Sequence, residues 1–184
     1  MQLGNQAALH SVRAPAHDFD SREIVMSLRW RAGGSGDLDA LCLLQAADGG
    51  MLEVIHPGHE RNANGSVIHT GDSTADKGRW NDESIFVFLD ALPAEVAKLS
   101  FVVSGADSRL GRLSGAVCQF ADRISEQEIH WHEFHAQETR SSLVVATLSR
   151  SEAEWKFAPE QECVQDGAPL VGAGARRLFN PARA

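Results

Sequence analysis

From Glu23 to Arg31 apolar and polar residues alternate almost one for one: Ile24, Met26, Leu28 and Trp30 against Glu23, Ser27, Arg29 and Arg31. On an extended chain successive side chains point to opposite faces, so this period of two specifies a strand with one buried face. Runs of strand length, each closed by a turn signal, then recur down the chain. Gly33-Gly-Ser-Gly36 breaks the first run, and Ala40–Leu44, apolar throughout, predicts a strand covered on both faces. Asp48-Gly-Gly is a hairpin turn signal, with Met51–Ile55 as the returning partner. Further strands are predicted at Ser66–Thr70, Ser84–Leu89, Leu99–Ser104, Ala116–Ile124, Glu128–Phe134, Ser142–Leu148 and Glu154–Phe157, with Leu3–Leu9 suited to a short edge strand. Leu92–Lys98, with Pro93 fit for a first turn, is the clearest helical piece and is expected as one short connecting helix. About ten short strands punctuated in this way specify an all-β fold, a two-sheet β-sandwich rather than a barrel.

The 184 residues suit one domain with a real core, expected over residues 1–163. Residues 164–184 form a Gly/Ala-rich tail whose charges beyond Asp166 are all basic: Arg176, Arg177 and Arg183. The tail is expected to dock on the domain surface or stay weakly ordered, with a basic segment that meets an acidic partner or the domain's own acidic face as the alternative. A net charge of −8 argues against nucleic-acid binding, which depends on Lys and Arg neutralising phosphates. No basic-then-apolar leader opens the chain, and no apolar run approaches the roughly 20 residues a membrane-spanning helix needs. Cys42, Cys118 and Cys163 are odd in number and widely spaced, which points to reduced packing thiols in a cytoplasmic protein.

The stretch Gly65-Ser-Val-Ile-His-Thr-Gly-Asp72 through Asn81-Asp82-Glu83 holds the chemistry. Its last twelve residues carry four carboxylates, Asp72, Asp76, Asp82 and Glu83, beside Ser, Thr and Asn oxygens. These are the donors a hard divalent cation prefers, and Ca²⁺ takes six to eight of them. The spacing is not that of an EF-hand: Lys77 stands where the loop needs glycine, and strands flank it where helices would be required. Asp37 and Asp39, two apart on an extended chain, share a face. Like charges about 4 Å apart cost on the order of 1–4 kcal/mol, so two facing carboxylates favour a cation between them. If this pair meets the Asp72–Glu83 segment, six carboxylates converge. His69 is expected to brace the loop by hydrogen bonding rather than to hold metal. His130, His132, His56 and His59 read as surface histidines, since His132-Glu-Phe-His135 is one residue short of H-E-x-x-H. No G-x-S-x-G and no phosphate-cradling glycine loop is present, so no catalytic residue is assigned.

Gly36-Asp37-Leu38-Asp39-Ala40, then Gly65-Ser-Val-Ile-His-Thr-Gly-Asp72, then Asn81-Asp82-Glu83 and a closing Glu154-Trp-Lys-Phe157 together resemble the tellurium-resistance TerD domain family. The order and spacing match from about Ile24 to Phe157, and Leu92-Pro-Ala-Glu-Val and Gln127-Glu-Ile129 fit as well. The resemblance implies a β-sandwich that binds Ca²⁺ through acidic segments, has no established catalytic activity, and serves stress resistance alongside protein partners, membrane-associated ones among them. Carried over by position, Asp37, Asp39, Asp72, Asp82 and Glu83 keep the family's acidic residues, with Asp76 and Asn81 as further oxygen donors. The chain departs from the family pattern at Ser73, at Asp76-Lys77-Gly78-Arg79-Trp80 and at Asn81. Lys77 and Arg79 add positive charge among the donors, so one Ca²⁺ is expected rather than two. The expected function is a non-enzymatic calcium-binding stress-response module. The alternative is a small-ligand-binding or metal-dependent hydrolytic protein using the same acidic site.

Overall fold

Strand pairing in the computed structural model follows the alternation seen in the sequence. It describes residues 17–18, 21–31, 38–71, 73–75, 80–105, 115–134, 141–152 and 154–163. Among these are twelve strands: β1 (His17–Asp18), β2 (Glu23–Arg31), β3 (Leu38–Gln45), β4 (Met51–Ile55), β5 (Val67–His69), β6 (Ser73–Ala75), β7 (Trp80–Phe88), β8 (Lys98–Gly105), β9 (Val117–Asp122), β10 (Glu128–Glu133), β11 (Ser142–Ser151) and β12 (Glu154–Cys163). They form two antiparallel sheets. Sheet A runs β1-β12-β11-β8-β3-β4, and sheet B runs β10-β9-β2-β7-β5 with β6 also paired to β7. The expected edge strand at Leu3–Leu9 and the tail beyond Cys163 lie outside the described residues.

The inner faces of the sheets meet in one apolar core. In β2 the alternating Ile24, Met26, Leu28 and Trp30 are all buried, as their spacing requires. Phe120 of β9 bridges the two sheets, edge-on to Phe101 of β8 at 5.1 Å and to Phe157 of β12 at 5.3 Å between ring centroids. Such tilted pairs add to the burial term because each ring edge meets the other's electron-rich face. Cys42 and Cys118 are buried free thiols, and burial pushes both far above the usual thiol range.

Three local features differ from expectation. The connecting helix does not form at Leu92–Lys98, where the chain makes turns; a single 3₁₀ turn occupies Leu89–Ala91 just before it. Leu92 and Val96 are instead drawn into the core, and Ala97 N–H donates to Gln45 O at 2.8 Å. So short a segment forms too few helical bonds to outweigh those contacts. In β10 a register shift between Glu128 and His130 turns Ile129 onto the core, while Trp131 stays 48% exposed. A bulge inserts one residue and so reverses the facing that simple alternation predicts. The largest difference is β7, which starts at Trp80 and takes Asn81, Asp82 and Glu83 into the sheet rather than leaving them in a loop.

The β9–β10 turn depends on one carboxylate. Asp122 Oδ1 accepts from the N–H groups of Ser125 at 2.6 Å and Ile124 at 2.9 Å and from Ser125 Oγ, and Ser21 Oγ donates to Oδ2. The backbone N–H of Ser125 first, then the Ser21 and Ser125 hydroxyls, pull this carboxyl down from 3.8 to about 2. A folded-state value below the unfolded one means that the stabilisation is complete above the unfolded value and is lost as pH falls through the folded one. Melting temperature should therefore fall in wild type between pH 3.8 and about 2 more steeply than in Asp122→Asn. Identical acid limbs would show that these hydrogen bonds add no pH-dependent stability.

Candidate metal centre

Alternation along β7 sends Glu83, Ile85 and Val87 into the sandwich and leaves Asp82, Ser84 and Phe86 on the outer side of sheet B. Glu83 is consequently a carboxylate only 1% exposed, in a row of apolar side chains. An ionised carboxylate is tolerated at such depth only when hydrogen bonds and positive charge surround it. One of its partners comes from the opposite sheet. β4 ends its pairing with β3 at Cys42, and beyond that point the Ala40 N–H donates to Glu83 Oε2 at 2.7 Å. Ala40 at the start of β3 therefore meets the Glu83 stretch of β7 across the sandwich.

His69, also 1% exposed, closes the other side. Gly71 N–H donates to its Nδ1 at 2.8 Å, so the ring proton sits on Nε2, which lies 3.4 Å from Glu83 Oε2. The histidine thus braces the segment and faces the carboxylate. Gly71 makes this possible at φ +71°, a left-handed backbone that calls for glycine, and Glu60 Oε1 lies close beside it. Thr70 N–H donates to Ser84 O, and Ser73 is in register with Asp82, so this edge has one residue more than β7 across the stretch holding Glu83. Extra residues of this kind often re-aim side chains at functional sites.

The remaining donors separate into four groups. Asp39 is half-buried in β3, next to Ala40 and in register with Ser104. By alternation with Ala40 it takes the outer side of its sheet. Asn81 shares the inner parity of Glu83 and is half-buried. Asp82 is not brought to that side: on the outer face of sheet B its Oδ1 accepts from Arg29 Nε at 2.6 Å. Asp37, Asp72 and Asp76 lie outside the described residues. Among the described residues no three His, Cys, Asp or Glu side chains gather closely enough to hold a metal ion on their own. Glu83 and Asn81, which share the inner side of β7, offer oxygens, which suits a hard cation in kind.

Sequence reasoning missed three contributors. Glu60, whose carbonyl accepts from His69 N–H at 2.6 Å, places a carboxylate beside Gly71. Asn62, 2% exposed, donates to Ser66 Oγ and accepts from Val67 N–H, which fixes the entry to β5. Arg29 holds Asp82. None has a sequence signature, because each acts through a cross-chain contact. Trp80 belongs to β7 opposite Arg31, whose guanidinium sits 5.5 Å above its ring, so local packing accounts for it. His59 Nε2 pairs with Glu53 at 2.7 Å, and His130 packs on Phe120 and Phe157.

These strands define a two-sheet antiparallel β-sandwich protein, and comparisons with known proteins give its family. The chain matches the TerD domain over residues 4–172. It is 32% identical over 149 residues to the tellurium resistance protein TerD of Serratia marcescens, covering 74% of this chain and 78% of that one. It is 27% identical over 163 residues to general stress protein 16U of Bacillus subtilis, covering 81% and 84%. A solved homologue of the telluride resistance protein TerD from Streptomyces coelicolor superposes with a TM-score of 0.66 at 18% identity, over 78% of this chain and 90% of that one. The chain belongs to the TerD domain family, a family of tellurium-resistance and stress-response proteins. No helix among the described residues is long and apolar enough to cross a membrane.

Proposed function

We propose that this chain is a non-enzymatic calcium-binding module of the stress response that acts by docking on protein partners. The observation that carries the reading is Glu83, a carboxylate held in the interior where the start of β3 meets β7. Glu83 and Asn81, with Asp37, Asp72 and Asp76 from the adjoining segments, would hold the ion; Asp82, engaged by Arg29, and Asp39, on the outer side of its sheet, would stay outside the ligand set. A bound dication supplies charge neutralisation there. The chain's own residues do the rest: Ala40 N–H and His69 orient Glu83, and Gly71 lets the segment turn back on itself. Removing carboxylate repulsion would fix the two acidic segments against each other and present one ordered rim to a partner. The buried thiols of Cys42 and Cys118 suit a reducing, cytoplasmic setting.

Asp72→Ala tests the ligand assignment. Wild type should melt at a higher temperature in calcium than in chelator, and the variant should lose that difference. A variant that keeps the full difference contradicts the assignment, and phosphoester turnover abolished by chelator contradicts the non-enzymatic reading.

A further inference from the structure

The outer faces of the two sheets differ in a way that the strands do not explain. On sheet B the outward residues are wet: Ser27, Ser84 and Phe86 are half-buried, and Arg29 and Gln119 are exposed. On sheet A the outward residues at the centre of the sheet are dry. Leu41 is 4% exposed, Leu43 and Val102 1%, and Val144 5%, forming an apolar cluster separate from the core. Thr147 at 4% and Glu160 at 7% extend the dry area to β12, with Thr147 Oγ1 donating to the Glu160 carboxylate at 3.1 Å. The contacts of sheet A with sheet B described above, Phe101 and Phe157 to Phe120 and the start of β3 to β7, are made from its inner side and leave this outer face to another cover.

We propose that residues 164–184 form the cover of this face. Three observations select them. The cluster's first row runs Leu41–Val102–Val144 in register across β3, β8 and β11, and the next residue in that row is Glu162 of β12. The chain leaves β12 one residue later, at Cys163, so the tail begins at the end of the apolar row. Reach is sufficient: β12 to β3 is three strand spacings, about 14 Å, and the seven residues to Leu170 span up to about 24 Å when extended. The tail also has the matching chemistry. Leu170, Val171, Leu178 and Phe179 supply apolar contacts, and Arg176, Arg177 and Arg183 suit a face that buries the Glu160 carboxylate. The N-terminal segment is one competitor, but it joins sheet A through β1 opposite Lys156 and Phe157, at the other end of β12, and residues 1–16 contain one arginine.

Methyl-labelled full chain tests this by nuclear Overhauser contacts. Cross-peaks from Val102 and Val144 methyls to Leu170 or Val171 within one molecule are expected. Cross-peaks to Leu3, Leu9 or Val12 instead would assign the cover to the N-terminal segment and overturn the proposal. Contacts seen only between differently labelled chains would assign the cover to a second copy and overturn it equally. Absence of any contact from these methyls to the tail also overturns it.

Discussion

Glu83→Ala should lower the melting temperature of the metal-free protein by roughly 5–15 °C. The substitution leaves the Ala40 N–H without its acceptor in the interior, and a buried donor left unsatisfied costs about 1–3 kcal/mol. It also removes the group that His69 Nε2 faces and opens space between the sheets. Together these come to about 2–4 kcal/mol, and a domain of this size shifts by roughly 2–4 °C for each. Glu83→Gln separates hydrogen bonding from charge: its amide oxygen can still accept from Ala40, so it should melt closer to wild type. Thermal denaturation followed by circular dichroism checks both. A Glu83→Ala protein that melts with wild type would show that this contact does not join the sheets.

Calcium should raise the melting temperature of wild type by roughly 5–11 °C at one hundred times its dissociation constant. Binding to the folded state alone at that excess contributes about 2.7 kcal/mol, converted at the same roughly 2–4 °C per kcal/mol. Glu83→Gln should show little of this increment although it folds, because the neutral amide no longer supplies a carboxylate to the ion. That contrast distinguishes a ligand from a purely structural carboxylate. An equal rise from the same ionic strength of sodium chloride would reduce the effect to screening of surface charge.

How far the sequence could be read depended on whether the relevant signal was local. Alternation in β2 and the apolar run of β3 are local, and both strands form where expected. The Asp48-Gly-Gly hairpin likewise joins β3 to β4. Leu92–Lys98 misled because helix propensity there is outweighed by burial of Leu92 and Val96, a tertiary effect. The bulge at Ile129 was invisible for the same reason, since nothing in Glu128–Phe134 marks where the extra residue falls. At the site, His69 as a brace was legible from its place in the Gly65–Asp72 run, and the Ala40–Glu83 contact joins two stretches whose meeting the carboxylate spacing posed only as a condition. The facing of Asp82 was not. Reading Asn81-Asp82-Glu83 as loop left both carboxylates free to converge, whereas strand pairing with Arg29 forces them to opposite sides of sheet B. Glu60 and Asn62 act through contacts that no spacing rule encodes.

Whether the acidic segments joined through Glu83 hold a calcium ion is tested most directly by calorimetric titration of the metal-stripped full chain with calcium chloride. One ion bound per chain is the predicted result, with binding lost in Asp72→Ala; a flat titration at millimolar calcium would contradict it.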